Sequence, residues 1–378
     1  MLEIYGLSIL LHYIVPARVV TGYVTDSDGK EPLRYRLNGF IVYLLLVLAF
    51  LIFTPKDIQK SYYNNFWSNF FAVNVVGIST SLYFYFVGGK EKYARCVTVD
   101  QIRSEEGKKT IKLAGTPPGE LERFYLGSIW NPRIFGVDIK MLLYLIGAVG
   151  LQVNILSCLV VQQENWNGEV SNAMKVYLFC FCYFIIEYLL GEEVHLYTYD
   201  IFAEKIGFKL SWGCLVFYPF FYGIGAFSLV DVSRDNDLTA WSCGGIVALY
   251  FIGWVLTRGA NMQKFFSRKY PSQKTFLFGL ISQETLPNTH ILVGGWWGLS
   301  RHINYFGEIL QAVALSLPGF FVGSSLYWRL LPFLYPLYYI LLFVPRQIDD
   351  DKVCATKYGE KWDEYVRRVP YRIVPFVW

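Results

Sequence analysis

The sequence predicts an all-α, multi-pass integral membrane protein, and two observations support this fold class. Of the 378 residues, 54% are hydrophobic and 19% aromatic, whereas only 17% are charged. A soluble domain contains about 25% charged residues. The apolar residues also cluster into blocks, several of which approach the roughly 20 residues that cross a bilayer. A soluble protein with buried helices of about 10–14 residues is the alternative, and this composition disfavours it.

The apolar blocks define the expected helices in chain order. A first apolar stretch over residues 4–20 precedes a polar turn at residues 25–30. Spans are then expected near residues 38–54, 67–87, 139–162, 174–195, 206–231 and 239–257. The long polar segment from residue 90 to about 130 contains a Gly/Pro cluster and is expected to be a loop with short elements. Apolar runs near residues 305–321 and 326–345 precede a polar C-terminal tail.

Charge and cysteine content exclude several functions. The net charge is +4 with no basic stripe outside the loops, so nucleic-acid binding is not expected. Residues 258–274 hold five Lys or Arg residues and no acid, which predicts a basic loop on the cytoplasmic side. The seven cysteines include no CxxC pair, so neither a disulfide framework nor a zinc site is indicated.

The first candidate site is a pair of cations, Lys264 and Arg268, four residues apart. If this segment is helical, both side chains lie on one face. Two cations at that spacing repel each other unless an anion lies between them, and Arg binds phosphate through two parallel hydrogen bonds. The pair indicates a phosphate-bearing ligand, although a basic patch attracted to anionic lipid head groups is the more frequent reason for such a pair.

The second candidate site is the segment 301–305, which includes His302, Asn304 and Tyr305 and follows the pair Trp296-Trp297. Polar side chains at the mouth of a membrane helix are costly if they face lipid, so they are expected to line a cavity. An isolated structural role for His302 is the alternative. No second histidine or carboxylate lies at metal-ligand spacing, so a metal site is not predicted.

The third candidate site is a ladder with four-residue spacing, formed by Arg346, Asp350, Cys354 and Tyr358. On a helix this spacing places all four side chains along one face. The spacing continues to Trp362, and Tyr365 follows. A solvated tail helix is the alternative, but an aromatic face with Arg and Asp suits a flat, polar ligand such as a nucleotide.

A fourth, weaker candidate lies at the end of a long apolar run, where Glu192 and Glu193 are followed by Tyr197 and Asp200. Carboxylates next to a membrane span are functional candidates. They could equally be loop residues at the membrane surface.

Two C-terminal motifs resemble the signature regions of the sterol reductases. They are residues 295–305, GWWGLSRHINY, and residues 357–375, KYGEKWDEYVRRVPYRIVP. The family includes the sterol C-14, C-7 and C-24(28) reductases and the membrane domain of the lamin B receptor. Shorter matches occur in the family's order at residues 35–39, 131–133, 138–140 and 207–208. The resemblance therefore covers nearly the whole chain.

The resemblance implies one membrane domain over residues 1–378, with roughly ten transmembrane helices. Residues 1–257 would form the sterol side, and residues 258–378 would bind NADPH in a pocket that faces the cytoplasm. Lys264 and Arg268 would bind the phosphate on the adenosine ribose. The nicotinamide side would be lined by Trp297, His302, Asn304 and Tyr305. The rest of the cofactor would contact Arg346, Asp350, Cys354, Tyr358 and Tyr365.

The implied activity is NADPH-dependent reduction of a carbon–carbon double bond in a sterol. An isolated alkene must be protonated before it accepts hydride, so the enzyme needs a general acid. The candidates for that acid are Glu193, Tyr197, Asp200 and Asp350. We take the segment 192–200 as the source of the proton, with hydride delivered from the side of the Arg346 ladder. The expected partners are a sterol substrate and membrane lipid.

The branch of the family is not settled by these motifs. Residues 191–193 and 204–208 resemble the C-24(28) branch, whereas residues 301–305 resemble the C-14 branch, and the side-chain bond at C-24 is slightly favoured. A Δ14 or Δ7 reductase is the alternative. An isoprenylcysteine-type methyltransferase, a non-catalytic sterol-binding protein and a transporter are the other interpretations. The compartment would be the endoplasmic reticulum of a eukaryote or the inner membrane of a bacterium.

Overall fold

The computed structural model describes residues 1–25, 31–88, 119–202 and 204–378, and these ranges are predominantly helical. The helices are α1 (Leu2–Ile14), α2 (Gly39–Ile52), α3 (Lys56–Asn64), α4 (Phe66–Gly88), α5 (Glu120–Leu126), α6 (Ile139–Asn165), α7 (Asn172–Leu190), α8 (Glu192–His195), α9 (Tyr199–Phe202), α10 (Phe208–Trp212), α11 (Tyr218–Phe221), α12 (Ile224–Phe227), α13 (Ala240–Lys269), α14 (Ile303–Val322), α15 (Leu326–Leu330), α16 (Leu334–Tyr358) and α17 (Glu360–Arg368). The strands of the described ranges form three antiparallel pairs, β1 (Arg18–Thr25) with β2 (Pro32–Leu37), β3 (Arg133–Ile134) with β4 (Val137–Asp138), and β5 (Thr275–Phe276) with β6 (Ile281–Ser282).

Seven helical segments in these ranges are long and apolar enough to cross a membrane. They are α4, α6, α7, residues 208–227, α13, α14 and residues 326–358. The pair α2–α3, bent by 108°, makes an eighth if it counts as one span. The all-α, multi-pass membrane class is therefore confirmed, with seven or eight spans in the described ranges where the resemblance implied roughly ten.

Proline changes two of the expected spans. The first apolar stretch is helical only to Ile14, because Pro16 follows and the chain then enters β1. The expected span over residues 206–231 is a series of short helices with a π-helical turn, Gly213–Phe217, before Pro219. Pro219 has no N–H to donate to the Leu215 carbonyl, and the Tyr5 hydroxyl donates to that carbonyl instead.

The prediction of a loop at residues 258–274 is wrong for most of its length, because α13 continues to Lys269. Lys and Arg are good helix formers, and Arg268 and Lys269 occupy the last turn, where the helix dipole favours cations. The helix thus places Lys264 and Arg268 on one face, as their spacing predicts. Two predicted polar segments lie largely outside the described ranges, namely residues 26–30 of the first turn and residues 89–118 of the long polar region. The described end of the long polar region contains α5.

The chain divides into two compact units. Unit 1 comprises Met1–Val170 and Phe181–Val230, and unit 2 comprises Ser171–Cys180 and Asp231–Trp378. The single domain over residues 1–378 stays a prediction. In unit 1 the central element is α6, which contacts α1, α2, α3 and α11. Of the residues in an apolar 18-residue window of α6, 83% are buried inside the protein, whereas 22% are buried in the corresponding window of α4.

Buried polar side chains of α6 hold its neighbours in place. Gln152 accepts a hydrogen bond from the Tyr43 hydroxyl at 2.8 Å, and the Asn154 side chain donates to the Pro219 carbonyl at 2.9 Å. The Ser157 hydroxyl donates to the Gln59 carbonyl at 2.7 Å. In a lipid environment, such bonds between helices fix which elements pack together, since dispersion alone distinguishes apolar surfaces poorly.

In unit 2, α13 and α14 pack closely along glycines. A Cβ atom at Gly253 would lie 2.7 Å from the Gly307 carbonyl oxygen, and one at Gly307 would lie 2.6 Å from the Thr257 nitrogen. Small residues at these crossings let two helix backbones approach each other. This contact orients the basic end of α13 relative to the start of α14, where the second candidate segment lies.

Replacing Gly253 with Ala is expected to destabilise the protein by about 1–3 kcal/mol, because the added methyl group overpacks the contact. Thermal unfolding of the purified protein in detergent, followed by circular dichroism, measures the loss. Gly245→Ala on the same helix is the matched control, since a Cβ there meets nothing within 4 Å. Equal melting temperatures for the two variants would contradict the close approach of α13 and α14.

Candidate functional site

The basic pair on α13 lies beside an indole ring. The Lys264 Nζ atom is 5.3 Å from the centroid of the Trp297 ring. Trp297 is buried and its Nε1–H donates to the Ala260 carbonyl at 2.9 Å, which fixes the ring against α13. Lys264 also interacts electrostatically with Arg268 and Asp350. Two cations and one carboxylate thus share this part of unit 2.

Four aromatic rings continue from the start of α14 to α16. The His302 and Tyr305 rings stack at a centroid distance of 4.8 Å, and Tyr305 stacks on Phe343 at 4.3 Å with planes 4° apart. Phe343 stacks in turn on Tyr339 at 5.0 Å. Burial lowers the pKa of His302 to about 3, and the nearby cations, beginning with Lys264, act in the same direction. His302 is therefore a neutral ring at physiological pH.

Asn304 follows His302 in the chain, and one atom of its side-chain amide has no hydrogen-bond partner among the described residues. Its backbone carbonyl accepts a hydrogen bond from the Thr257 hydroxyl at 2.9 Å, and its side-chain Nδ2–H donates to the Asn261 Oδ1 atom at 3.3 Å. Its Oδ1 atom is buried and has no hydrogen-bond partner among the described residues. A buried acceptor without a hydrogen bond destabilises the folded protein unless a donor, such as a group on a ligand, binds to it.

The ladder on α16 is confirmed as one helical face from Arg346 to Tyr358. The Tyr305 hydroxyl reaches the Asp350 carboxylate at 3.5 Å, which links this face to the aromatic stack. The predicted continuation to Trp362 is wrong. Gly359, with φ +53°, ends α16, and Trp362 belongs to α17.

Three of the predicted cofactor residues pack on an apolar cluster in unit 2. Tyr365 is buried in it together with Trp362 and Leu286, and Cys354 and Tyr358 pack against its side. The Tyr365 hydroxyl reaches the Trp297 carbonyl at 3.5 Å, and burial raises the pKa of this phenol. Tyr365 therefore contacts the backbone of Trp297.

In unit 1 the candidate acids have different surroundings. Glu193 forms an ion pair with Arg18, whose side chain is 67% exposed. Tyr197 stacks on Tyr23 at 5.3 Å and packs on an apolar cluster. Asp200 interacts electrostatically with the side chains of Tyr144, Tyr188 and His195.

A buried lysine fixes the backbone at Asp200. Lys140 is fully buried, and its Nζ donates to the carbonyls of Asp200 at 2.9 Å, Ile201 at 3.2 Å and Glu204 at 2.5 Å. Three carbonyl acceptors satisfy an ammonium group that has three donors. His195 stacks on Tyr188 at 3.8 Å, and burial lowers its pKa to about 4, so it is neutral as well.

Glu192 is a buried residue that the choice of candidate acids missed. Its carboxylate accepts a hydrogen bond from the Gly39 backbone nitrogen at 3.1 Å and so caps the start of α2. It is 7% exposed, and burial raises its pKa to about 7, although the bond from Gly39 acts in the opposite direction. The sequence signal was the Glu-Glu pair itself, but only the fold shows which of the two is buried.

The stability of unit 1 is expected to depend on the protonation of Glu192. The carboxyl binds a proton more tightly in the folded state, so its contribution is complete below an unfolded pKa near 4.5 and is lost as the pH rises through about 7. The loss amounts to about 3 kcal/mol. We expect the melting temperature of the wild type to fall between about pH 5 and 7.5 relative to that of Glu192→Gln. Parallel pH profiles would contradict this account.

Comparison with known proteins places these features in context. The family described as Ergosterol biosynthesis ERG4/ERG24 matches residues 1–378. The Delta(14)-sterol reductase of Methylotuvimicrobium alcaliphilum is 30% identical over 353 residues, which cover 93% of this chain and 76% of that protein. The Delta(14)-sterol reductase of Arabidopsis thaliana is 31% identical, with 97% and 91% covered. The Delta(14)-sterol reductase ERG24 of Saccharomyces cerevisiae is 32% identical, with 99% and 82% covered.

Proposed function

Because the chain belongs to the Ergosterol biosynthesis ERG4/ERG24 family of sterol reductases, we propose that it reduces the C14=C15 double bond of a sterol with NADPH. Family membership confirms the resemblance of the two C-terminal motifs, and the chain is an oxidoreductase that acts on a carbon–carbon double bond. The choice of bond is supported by the names of the three relatives above. The preference for the C-24 side-chain bond finds no support among them, so the Δ14 alternative replaces it.

The described residues of unit 2 fit NADPH. Lys264 and Arg268 on one face of α13 suit a phosphate group, because Arg offers two parallel donors and Lys a point charge. The unused acceptor of Asn304 suits a carboxamide, which carries an NH₂ donor. The ring of His302, at the end of the aromatic stack, is suited to stacking against a flat aromatic ring. The assignment of these side chains to the cofactor stays a prediction.

Reduction of an isolated alkene requires two separate functions from the protein. In a C14=C15 bond, protonation of C15 uses the π electrons to form a C–H bond and leaves a tertiary cation at C14. NADPH supplies the hydride that this cation accepts. The protein must therefore hold a proton donor that loses its proton to carbon, and it must exclude water, which would otherwise trap the cation.

We assign the proton donor to Asp200. Its backbone is held by Lys140, and it interacts electrostatically with the phenols of Tyr144 and Tyr188. Glu193 is less suited, because its carboxylate is paired with the side chain of Arg18. Asp350 is assigned to the cofactor, since it interacts with Lys264 and Tyr305. Tyr197 has its ring stacked on Tyr23.

Expression in yeast strains that each lack one sterol reductase tests the proposed bond. Sterols extracted from each strain are identified by gas chromatography–mass spectrometry. We expect the Δ14-unsaturated sterol to disappear only in the strain that lacks the C-14 reductase. Correction of a different strain would assign another bond. Correction of none, with the protein verified in the membrane, would favour the non-catalytic sterol-binding interpretation.

A further inference from the structure

The C-terminal segment of the chain is hydrogen-bonded to the segment that precedes α14. The backbone nitrogen of Arg301 donates to the Tyr371 carbonyl at 2.9 Å, and that of His302 donates to the Arg372 carbonyl at 2.8 Å. The Ser300 hydroxyl donates to the Ile373 carbonyl at 2.9 Å. Three consecutive residues, 300–302, are therefore fixed by three consecutive residues near the C-terminus.

Arg301 is the charged residue at the centre of this contact. It is only 4% exposed. Its guanidinium donates to the carbonyls of Val369 at 3.3 Å and Pro370 at 3.4 Å, and it lies 3.3 Å from the Asp351 carboxylate. Asp351 also accepts a hydrogen bond from Gln347 at 2.5 Å. A buried charge of this kind is destabilising unless its partner remains in place.

The acid that pairs with Arg301 belongs to the same helix as the cofactor ladder. Arg346 and Asp350 form one row along α16, and Gln347 and Asp351 form the adjacent row, also with four-residue spacing. Successive residues are rotated by about 100° around a helix axis. Holding Asp351 against Arg301 therefore sets the rotation of α16, and with it the direction in which the neighbouring ladder faces.

We propose that Arg301 and Asp351 are positioning residues for the reductase site. Their ion pair holds the ladder of α16 and the backbone of His302 in one arrangement. Residues 369–373 of the C-terminal segment are hydrogen-bonded to residues 300–302, and we call this set of contacts, together with the Arg301–Asp351 pair, the clamp. Neither residue is assigned to the cofactor or to the proton transfer. The inference rests on the proposed function, because it is the orientation of the NADPH-binding side chains that the clamp controls.

The test uses full-length Arg301→Met, purified in detergent. We expect the dissociation constant of NADPH, measured by calorimetry, to rise by about 10- to 100-fold, since a misplacement of about 1 Å can cost on the order of 100-fold in activity. Hydrogen exchange at the amides of Arg301 and His302 should speed up in the same variant. The KM for the sterol should stay unchanged.

Arg123→Met is the matched control, because Arg123 is a buried arginine of unit 1 with an acid partner, Glu120, at 2.7 Å. It should lower the melting temperature without changing NADPH affinity. If Arg301→Met does not fold, Asp351→Asn carries the test, with a smaller rise in the dissociation constant expected. A folded Arg301→Met or Asp351→Asn protein that keeps wild-type NADPH affinity would overturn the inference.

The binding and exchange measurements need no sterol, so they separate this inference from the proposed function. A wild type that binds NADPH but leaves every sterol unreduced, with affinity lost in Arg301→Met, would support the clamp and contradict the proposed reaction. A wild type that binds no NADPH would overturn both.

Discussion

Replacing Lys264 with Met and Arg268 with Gln together is expected to raise the dissociation constant of NADPH on the order of 100- to 1000-fold. Each charge-assisted hydrogen bond to a phosphate contributes about 1.5–3 kcal/mol, and the variant removes both donors from one face of α13. Affinity for NADH, which lacks the phosphate on the adenosine ribose, should hardly change. Calorimetry with both nucleotides measures the ratio of the two affinities.

Lys274→Gln is the control for this prediction, because Lys274 is an exposed cation a few residues beyond the end of α13. It reduces the charge of the same region without touching the proposed phosphate site. If the double variant weakens NADPH and NADH equally, the pair does not bind the phosphate. The alternative, a basic patch that attracts anionic lipid, would then be favoured.

Asp200→Asn is expected to lower turnover by about 100- to 10,000-fold, which is the usual contribution of a general acid. The amide has nearly the same shape but cannot give up a proton. Lys140 bonds to the backbone carbonyl of Asp200, so the local fold should survive the change. Single-turnover reduction of a Δ14 sterol measures the loss, and the affinity for NADPH should equal that of the wild type.

Glu193→Gln is the matched control for Asp200→Asn. It changes a neighbouring carboxyl by the same chemistry and removes the ion pair with Arg18, whose side chain is 67% exposed, so the pair contributes little. We expect it to retain turnover within about twofold, in line with that small contribution. If Glu193→Gln loses turnover and Asp200→Asn keeps it, the two assignments must be exchanged.

The parts of the site that depend on local spacing could be predicted from the sequence. Four-residue spacing placed Lys264 with Arg268, and Arg346 with Asp350, Cys354 and Tyr358, on single helical faces, as the structure has them. A helix repeats every 3.6 residues whatever it packs against, so this information is contained in the sequence itself. The membrane class followed from composition for a similar reason, because the length of a span is set by the bilayer.

Features that depend on residues far apart in the chain could not be predicted. The partner of Arg301 is 50 positions away, and the Gly39 nitrogen that Glu192 caps is 153 positions away. The clearest boundary errors lay at prolines, glycines and charged helix ends, where Pro16 ended α1, Gly359 ended α16 and the basic residues of α13 continued the helix. Hydropathy alone ends a helix where the apolar residues end, whereas α13 continues because its charged residues are themselves helix formers.

Isotope labelling tests the central claim, that the chain protonates a sterol double bond and then adds hydride from NADPH. The purified protein is given a Δ14 sterol with NADPH deuterated at the transferred position in ordinary water, and separately with unlabelled NADPH in D₂O. We expect one deuterium in the product of each reaction, at C14 in the first and at C15 in the second. Product without deuterium from the cofactor, or a sterol that stays unreduced, would contradict the claim.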